Sequence, residues 1–176
     1  RWFALATDPE SANAVLAASL CRLSPHSSAN GGPRLLVLGG MSVPRPFLVF
    51  LETCGARVVA EDSEADERTL TEPILVEDGP AMGTLAAAYL TKPPGPRPNA
   101  LARRLAAITR LLDDRGVQGV IAVYPKFADA YLAEYIGLAE VFRERDLPTL
   151  LLEDDGESGF SGQQRTRVEA FLEMLA

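Results

Sequence analysis

The chain has 176 residues, 47% of them apolar and 23% charged, which is the composition of one folded globular domain and excludes a collagen-like or largely disordered chain. Basic residues number 17 and acidic residues 24, a net charge of −7, so the broad positive field of a non-specific nucleic-acid binder is missing and neither DNA nor RNA is an expected partner. Cys21 and Cys54 make neither a CxxC pair nor a disulfide framework, which fits a reducing, cytoplasmic setting, and no apolar run approaches the roughly 20 residues of a bilayer crossing, so no membrane partner is expected.

Asp8 and Pro9 read as the N-cap and first residue of a helix with Leu16, Leu20 and Leu23 on one face, ending before Pro25. From Pro25 to Pro33 the chain is rich in Ser, Asn and Gly, carries the single histidine, His26, and reads as a loop. Residues 1–33 are therefore expected as a linker helix and loop, and residues 34–176 as an α/β domain. Arg34 to Gly40 is a buried-type strand closing on two glycines, Phe47 to Cys54 a short helix stopped by Gly55, and Ala56 to Glu61 a second strand. Residues 63–80 are acidic and irregular, and Met82 to Leu90 fits a short helix. Asn99 caps an amphipathic helix bearing Leu101, Leu105, Ile108 and Leu112, with Gly116 as its stop. Val117 to Val123 is a third strand, Asp129 opens a helix to about Arg145, and Thr149 to Leu152 is a fourth strand. A last helix starts at Ser161, with Val168, Phe171, Leu172 and Leu175 as its apolar face. Apolar strands alternating with amphipathic helices predict a three-layer, Rossmann-like (flavodoxin-like) α/β fold, a parallel sheet of about four strands with helices on both faces.

Such sheets bind ligands beyond the carboxyl ends of their strands, so the four tips are where chemistry is sought. Gly39 and Gly40 at the first tip allow close backbone approach to a ligand, or simply a tight turn; they are neither a dinucleotide fingerprint nor a Walker A loop. Lys126, beside Phe127 at the third tip, could neutralise a phosphate or a thioester oxygen, helped by the helix start at Asp129, or could pair with a tip acid such as Glu153. Glu61, Asp62, Glu153, Asp154 and Asp155 could gather around a hard cation, or be solvated loop acids. The comparison with a receiver domain's acid cluster fails because the first tip carries glycines instead of paired acids. Ser161, Gly162 and Gln163 offer a helix N-terminus and a side-chain amide to an anion or carbonyl, while Ser161 and Gln164 also fit a capping box. A Ser/His/Asp triad is excluded, because His26 lies in the loop and there is no GxSxG elbow. Cys21 and Cys54 fall on or near apolar helix stripes, where buried, unreactive thiols are expected.

The tip sequence Tyr124-Pro125-Lys126-Phe127-Ala128-Asp129, the strand end Glu153-Asp154-Asp155 and above all the run Ser161-Gly162-Gln163-Gln164-Arg165-Thr166-Arg167-Val168-Glu169-Ala170-Phe171 carry a family likeness. With the Arg34 to Asp62 region and Tyr89 to Pro94 in the same order, the chain resembles the carboxyl-terminal domain of the 2-hydroxyacyl-CoA dehydratase and benzoyl-CoA reductase family over about residues 34 to 174. The resemblance implies a subunit that, with a homologous partner subunit, binds an acyl-CoA thioester and carries a 4Fe-4S cluster fed with single electrons by an ATP-dependent activator protein. An electron on the thioester carbonyl gives a ketyl radical, from which a 2-hydroxy group leaves or an aromatic ring is reduced. It further implies that Gly39, Gly40, Lys126, Phe127, Glu153, Ser161, Gly162, Gln163 and Arg167 line the acyl-CoA or partner surface, with Arg165 and Arg167 alternatively anchoring tip acids. A cluster needs thiolates. Ala128 stands where the family has a cluster cysteine, and Glu64 and Gly95 where further cysteines are common, so no metal ligand is assigned in this chain. Two functions follow: a domain shaping the thioester site, or a cluster-less structural or regulatory partner of a cluster-bearing homologue. With arginine at position 1, the 176 residues are expected to be the carboxyl-terminal part of a longer subunit.

Overall fold

A computed structural model describes residues 8–22, 31–64, 80–92, 100–155 and 161–175. The chain divides into two compact units, Arg1–Gly31 and Gly32–Ala176. Within the first unit, helix α1 (Pro9–Arg22) starts as its sequence predicts: the Asp8 carboxylate accepts the Ser11 backbone N–H at 2.9 Å, which also draws the Asp8 carboxyl below its ordinary pKa. Leu16, one of the leucines placed on one helix face, is exposed, and Leu23 and His26 lie outside the described residues.

In the second unit the elements run β1 (Arg34–Gly39), α2 (Arg45–Thr53), β2 (Arg57–Asp62), α3 (Ala81–Thr91), α4 (Leu101–Arg115), β3 (Gly119–Pro125), α5 (Asp129–Glu144), β4 (Thr149–Asp154) and α6 (Gly162–Leu175). The four strands are parallel and ordered β2-β1-β3-β4. β1 and β3 are central and read as unbroken apolar runs because both of their faces are covered. Leu35, Val37, Ile121, Val123 and Leu152 meet Phe47 and Leu51 of α2 and Val168, Phe171 and Leu172 of α6 on one face. Leu36, Leu38, Val120, Ala122 and Tyr124 meet Ile108 and Leu112 of α4 and Leu138 and Phe142 of α5 on the other. This is the expected three-layer architecture.

Helix ends explain the remaining boundaries. Gly116 stops α4 in the left-handed conformation at φ 54°, and the Arg34 guanidinium adds a cap from β1, donating from Nε to the Arg115 and Gly116 carbonyls at 3.0 Å each. The N-cap of α4 falls on Ala100 without a side-chain bond, and Asn99, expected there, lies outside the described residues. Strands β3 and β4 run two residues farther than their apolar sequences suggest, to Pro125 and Asp154, because ladder bonding continues through Tyr124 opposite Glu153 and Pro125 opposite Asp154.

The cysteines correct an expectation. Both are exposed. Cys54 follows Phe47 and Leu51 at helical spacing, but α2 ends at Thr53 and the chain turns away at Gly55, φ 89°, before that stripe can bury the thiol. What burial Cys54 has, with Glu169 nearby, still lifts its pKa, which keeps the thiol protonated and unreactive.

Among the described residues no helix is long and apolar enough to cross a membrane.

Candidate functional site

The strand order reverses between β1 and β3, since β2 lies on one side of β1 while β3 and β4 lie on the other. A sheet of this order presents its ligand-binding edge outside the carboxyl ends of those two strands. The first tip there is Gly39-Gly40, and both glycines are demanded by packing. A Cβ on Gly40 would stand 2.8 Å from Pro125 Cδ, and one on Gly39 would stand 2.6 Å from Val43 Cγ2. The Gly40 carbonyl accepts the Glu64 N–H at 3.1 Å, tying the β1 tip to the end of β2.

The β3 tip lies directly against this. Lys126 donates its backbone N–H to the Asp154 carbonyl at 2.8 Å, and its ammonium stands 3.7 Å from the Asp155 carboxylate, with both side chains about half exposed. The tip lysine thus pairs with a tip acid, Asp155 rather than Glu153. Phe127 adopts φ 63° and is 93% exposed. A bulky residue in the left-handed region costs about 1–2 kcal/mol, and here no burial of the ring offsets it. Ala128 closes the turn with its N–H on the Pro125 carbonyl at 3.3 Å and serves as the N-cap of α5 without a side-chain bond.

At the fourth tip Glu153 is exposed, and its carbonyl accepts the Gln164 side-chain amide at 2.6 Å. Ser161 and Gln164 form the capping box in both directions: the Ser161 N–H reaches Gln164 Oε1 at 2.7 Å, and the Gln164 N–H reaches Ser161 Oγ at 3.2 Å. The amide that docks the α6 N-terminus on β4 is therefore that of Gln164, while Gln163 and Gly162 stay exposed beside it. Arg167 donates to the Leu151 carbonyl at 3.0 Å, and the Arg165 guanidinium lies 5.1 Å from the Phe50 ring centroid. Gly39, Gly40, Lys126, Phe127, Glu153, Ser161, Gly162 and Gln163 thus share the carboxyl end of the sheet, while Arg167 braces β4 one turn into α6.

Beneath this surface lies a polar cluster that the sequence reading missed. Arg104 of α4, with 2% of its surface exposed, bridges Asp62 at the end of β2 and Glu134 of α5, the latter at 2.8 Å from Nε. Burial works against the charge of Arg104, but Asp62, by charge and hydrogen bond, and then Glu134 outweigh it and hold the guanidinium protonated. Arg104 Nη1 and Tyr124 Oη are buried with no hydrogen-bond partner among the described residues. Burial, with Glu134 adding to it and Arg104 opposing, pushes the Tyr124 phenol above its ordinary pKa. The Tyr124 ring stacks on Tyr131 at 5.4 Å and meets Tyr135 edge-on at 6.2 Å, and the Tyr131 hydroxyl donates to Glu64 at 3.0 Å.

A signal for this cluster does exist in the sequence. Arg104, Ile108 and Leu112 on α4, and Glu134, Leu138 and Phe142 on α5, are both i, i+4, i+8 series, each starting with a charge on an otherwise apolar stripe.

A metal fits poorly here. Among the described residues no group of three or more His, Cys, Asp or Glu could hold an ion, and of the acids weighed for that role Asp62 is engaged by Arg104 and Asp155 by Lys126. The 4Fe-4S cluster implied by the resemblance fares no better at the β3 tip. The Ala128 methyl is no ligand, and Cys54 closes α2 at the amino end of the sheet, a strand length of roughly 17 Å away. The residues at the tips do not fit a cluster.

No curated protein matches the chain. A family model does, over residues 2–175, described as 2-hydroxyglutaryl-CoA dehydratase, D-component. That match takes in the sheet, every strand tip described above and α1. The chain belongs to the 2-hydroxyglutaryl-CoA dehydratase D-component family, as a 2-hydroxyacyl-CoA dehydratase-like subunit.

Proposed function

We propose that the strand-tip surface between β1 and β4 holds an acyl-CoA thioester within a two-subunit dehydratase or reductase, and that the redox centre of that enzyme belongs to the homologous partner subunit and is fed there by an ATP-dependent activator. The observation that carries this reading is Phe127, an aromatic ring kept 93% exposed in a strained backbone conformation at the point where the strand order reverses. Strain of this kind persists where function requires it. Lys126, next in the chain, supplies a half-exposed ammonium that can leave Asp155 for a CoA phosphate or the thioester oxygen. Phe127 supplies a face for the ligand's flat or apolar part, the buried Gly39 and Gly40 let Val43 and Pro125 pack close against the β1 tip beneath it, and the α6 N-terminus, with Gln163 exposed on it, adds positive potential.

Titrating the full chain with acetyl-CoA by calorimetry tests this directly. Binding that weakens at least tenfold in Lys126→Ala and in Phe127→Ala, and that free acetate cannot replace, supports the reading; no binding to the parent chain overturns it.

The donor set at the β3 tip favours a second reading, in which Ala128 marks a cluster-less structural or regulatory partner of a cluster-bearing homologue. On that reading the chain co-purifies with the homologue and leaves acyl-CoA unbound.

A further inference from the structure

Phe127 and Lys126 sit in a turn of only a few residues, and what holds that turn lies below it. Upstream, Pro125 is wedged against Gly40, whose missing Cβ would otherwise meet the proline ring at 2.8 Å. Downstream, the first turns of α5 carry two tethers. Tyr131 donates its hydroxyl to Glu64 at 3.0 Å, and Glu134 accepts from Arg104 at 2.8 Å, with Arg104 in turn bonded to Asp62. Both tethers end on the same short piece of chain, Asp62 to Glu64, at the carboxyl end of β2, on the far side of β1 from β3. That piece is itself fixed to the β1 tip by the Glu64 N–H on the Gly40 carbonyl at 3.1 Å. The contacts close a ring, from Gly40 to Glu64 to Tyr131, back through the turn to Pro125, and from Pro125 to Gly40. A left-handed phenylalanine has easier conformations available and stays where it is only if its flanks are over-determined.

We infer that Arg104 and Tyr131 are positioning residues that hold the Lys126–Phe127 turn in its ligand-presenting conformation. Arg104 lies buried beneath the surface assigned to the acyl-CoA, Tyr131 packs under the β1 tip with its ring 3.5 Å from the Cβ position of Gly40, and both act on the turn through α5. The inference rests on the proposed acyl-CoA reading for its functional meaning, but the clamp itself can be read out without any ligand.

Three backbone amides report on the turn: Lys126 N–H on the Asp154 carbonyl, Ala128 N–H on the Pro125 carbonyl and Tyr131 N–H on the Ala128 carbonyl. Amide hydrogen exchange is measured residue by residue on the full chain, on Tyr131→Phe, which removes one hydroxyl and keeps the ring stack, and on Arg104→Lys, which keeps the charge but loses the planar fork that spans Asp62 and Glu134. In Tyr131→Phe, exchange at these amides rising about tenfold or more while the β1 amides of Leu36 and Val37 stay within twofold is the expected result; in the Arg104 variants, which also lower global stability, the turn amides are expected to rise about tenfold more than those of Leu36 and Val37. Arg104→Met is expected to raise exchange further than Arg104→Lys, a partial rescue by the retained charge. An equal rise across β1 and the turn, or no rise at the turn in Tyr131→Phe, overturns the clamp; should Arg104→Lys fail to fold, the Tyr131→Phe result decides alone. Acetyl-CoA titration of the same proteins separates the two claims. If the parent chain binds none, the acyl-CoA reading falls while the exchange pattern still decides the clamp. If it does bind, Tyr131→Phe is expected to weaken binding at least threefold with an unchanged melting temperature.

Discussion

Asp62 reaches Arg104 because of one extra residue in β2. Leu35 pairs with Val58, but Leu36 pairs with Ala60, so Val59 is a bulge. Side chains alternate along a strand, and without the bulge Ala60 and Asp62 would project to the same face as Val58, toward α2. With it they project to the face covered by α4, where Arg104 waits. Deleting Val59 should therefore leave Ala60 opposite Leu36 and Asp62 opposite Leu38 in a regular ladder, still on the α4 face, and a loss of only about 1–2 kcal/mol in urea unfolding is the expected outcome, the Asp62–Arg104 pair being kept.

Removing the cation alone has a larger effect. Arg104→Met removes the cation that bridges two buried carboxylates, and breaking a buried pair from one side costs about 3–5 kcal/mol. Denaturant midpoints for Arg104→Met and for the triple variant Asp62→Leu/Arg104→Met/Glu134→Leu check this. The triple variant should recover most of the loss, since apolar groups need no partners.

Tyr124 gives an alkaline signature. Its folded-state pKa is raised above the unfolded value near 10, so the native chain holds a proton that the unfolded chain releases. That contribution is complete below about pH 10 and declines as the pH rises through and beyond it. Stability measured between pH 8 and pH 11.5 should fall less steeply in Tyr124→Phe than in the parent. At pH 7 the same substitution removes a buried hydroxyl with no hydrogen-bond partner among the described residues, and is expected to be neutral or stabilising by up to about 1 kcal/mol.

Phe127→Gly separates stability from presentation. Glycine adopts positive φ freely, and an exposed ring contributes no packing, so the melting point should rise, by about 1 kcal/mol of relieved strain. Acetyl-CoA affinity in the same variant should drop. A lowered melting point would show that the ring has a covering contact.

Gly40→Ala sets a methyl 2.8 Å from the Pro125 ring. A cost of about 1–3 kcal/mol by thermal melting is expected, together with faster exchange of the Lys126 amide, since the proline must move and its neighbour moves with it.

The layers of this fold were legible because β1, β3 and four of the helices bury one continuous stripe or run each, and such patterns survive in sequence. The tips followed from the rule for open parallel sheets. What stayed hidden was whatever depends on register or on a helix's last turn. The Asp62–Arg104–Glu134 cluster needs the Val59 bulge, which no local pattern announces, and Arg104 reads as a surface residue beside Leu101 and Leu105 until α4 is seen to turn its Arg104, Ile108, Leu112 line inward. The exposure of Cys54 depends on where α2 stops, and the choice between Gln163 and Gln164 on which side chain faces β4.

The strand order also shapes how the domain assembles. β1-α2-β2 and β3-α5-β4 are two local units, but Leu35 must find Gly119 before the sheet is one. Closing a loop of that length carries a chain-entropy cost of about 4 kcal/mol, and non-local pairing of this kind slows folding. The β1–β3 seam is the least local pairing of the sheet, and the strand-tip surface exists only once it has formed. A ligand spanning the β1 and β3 tips would therefore act as a staple across that seam, binding the joined state and slowing its separation.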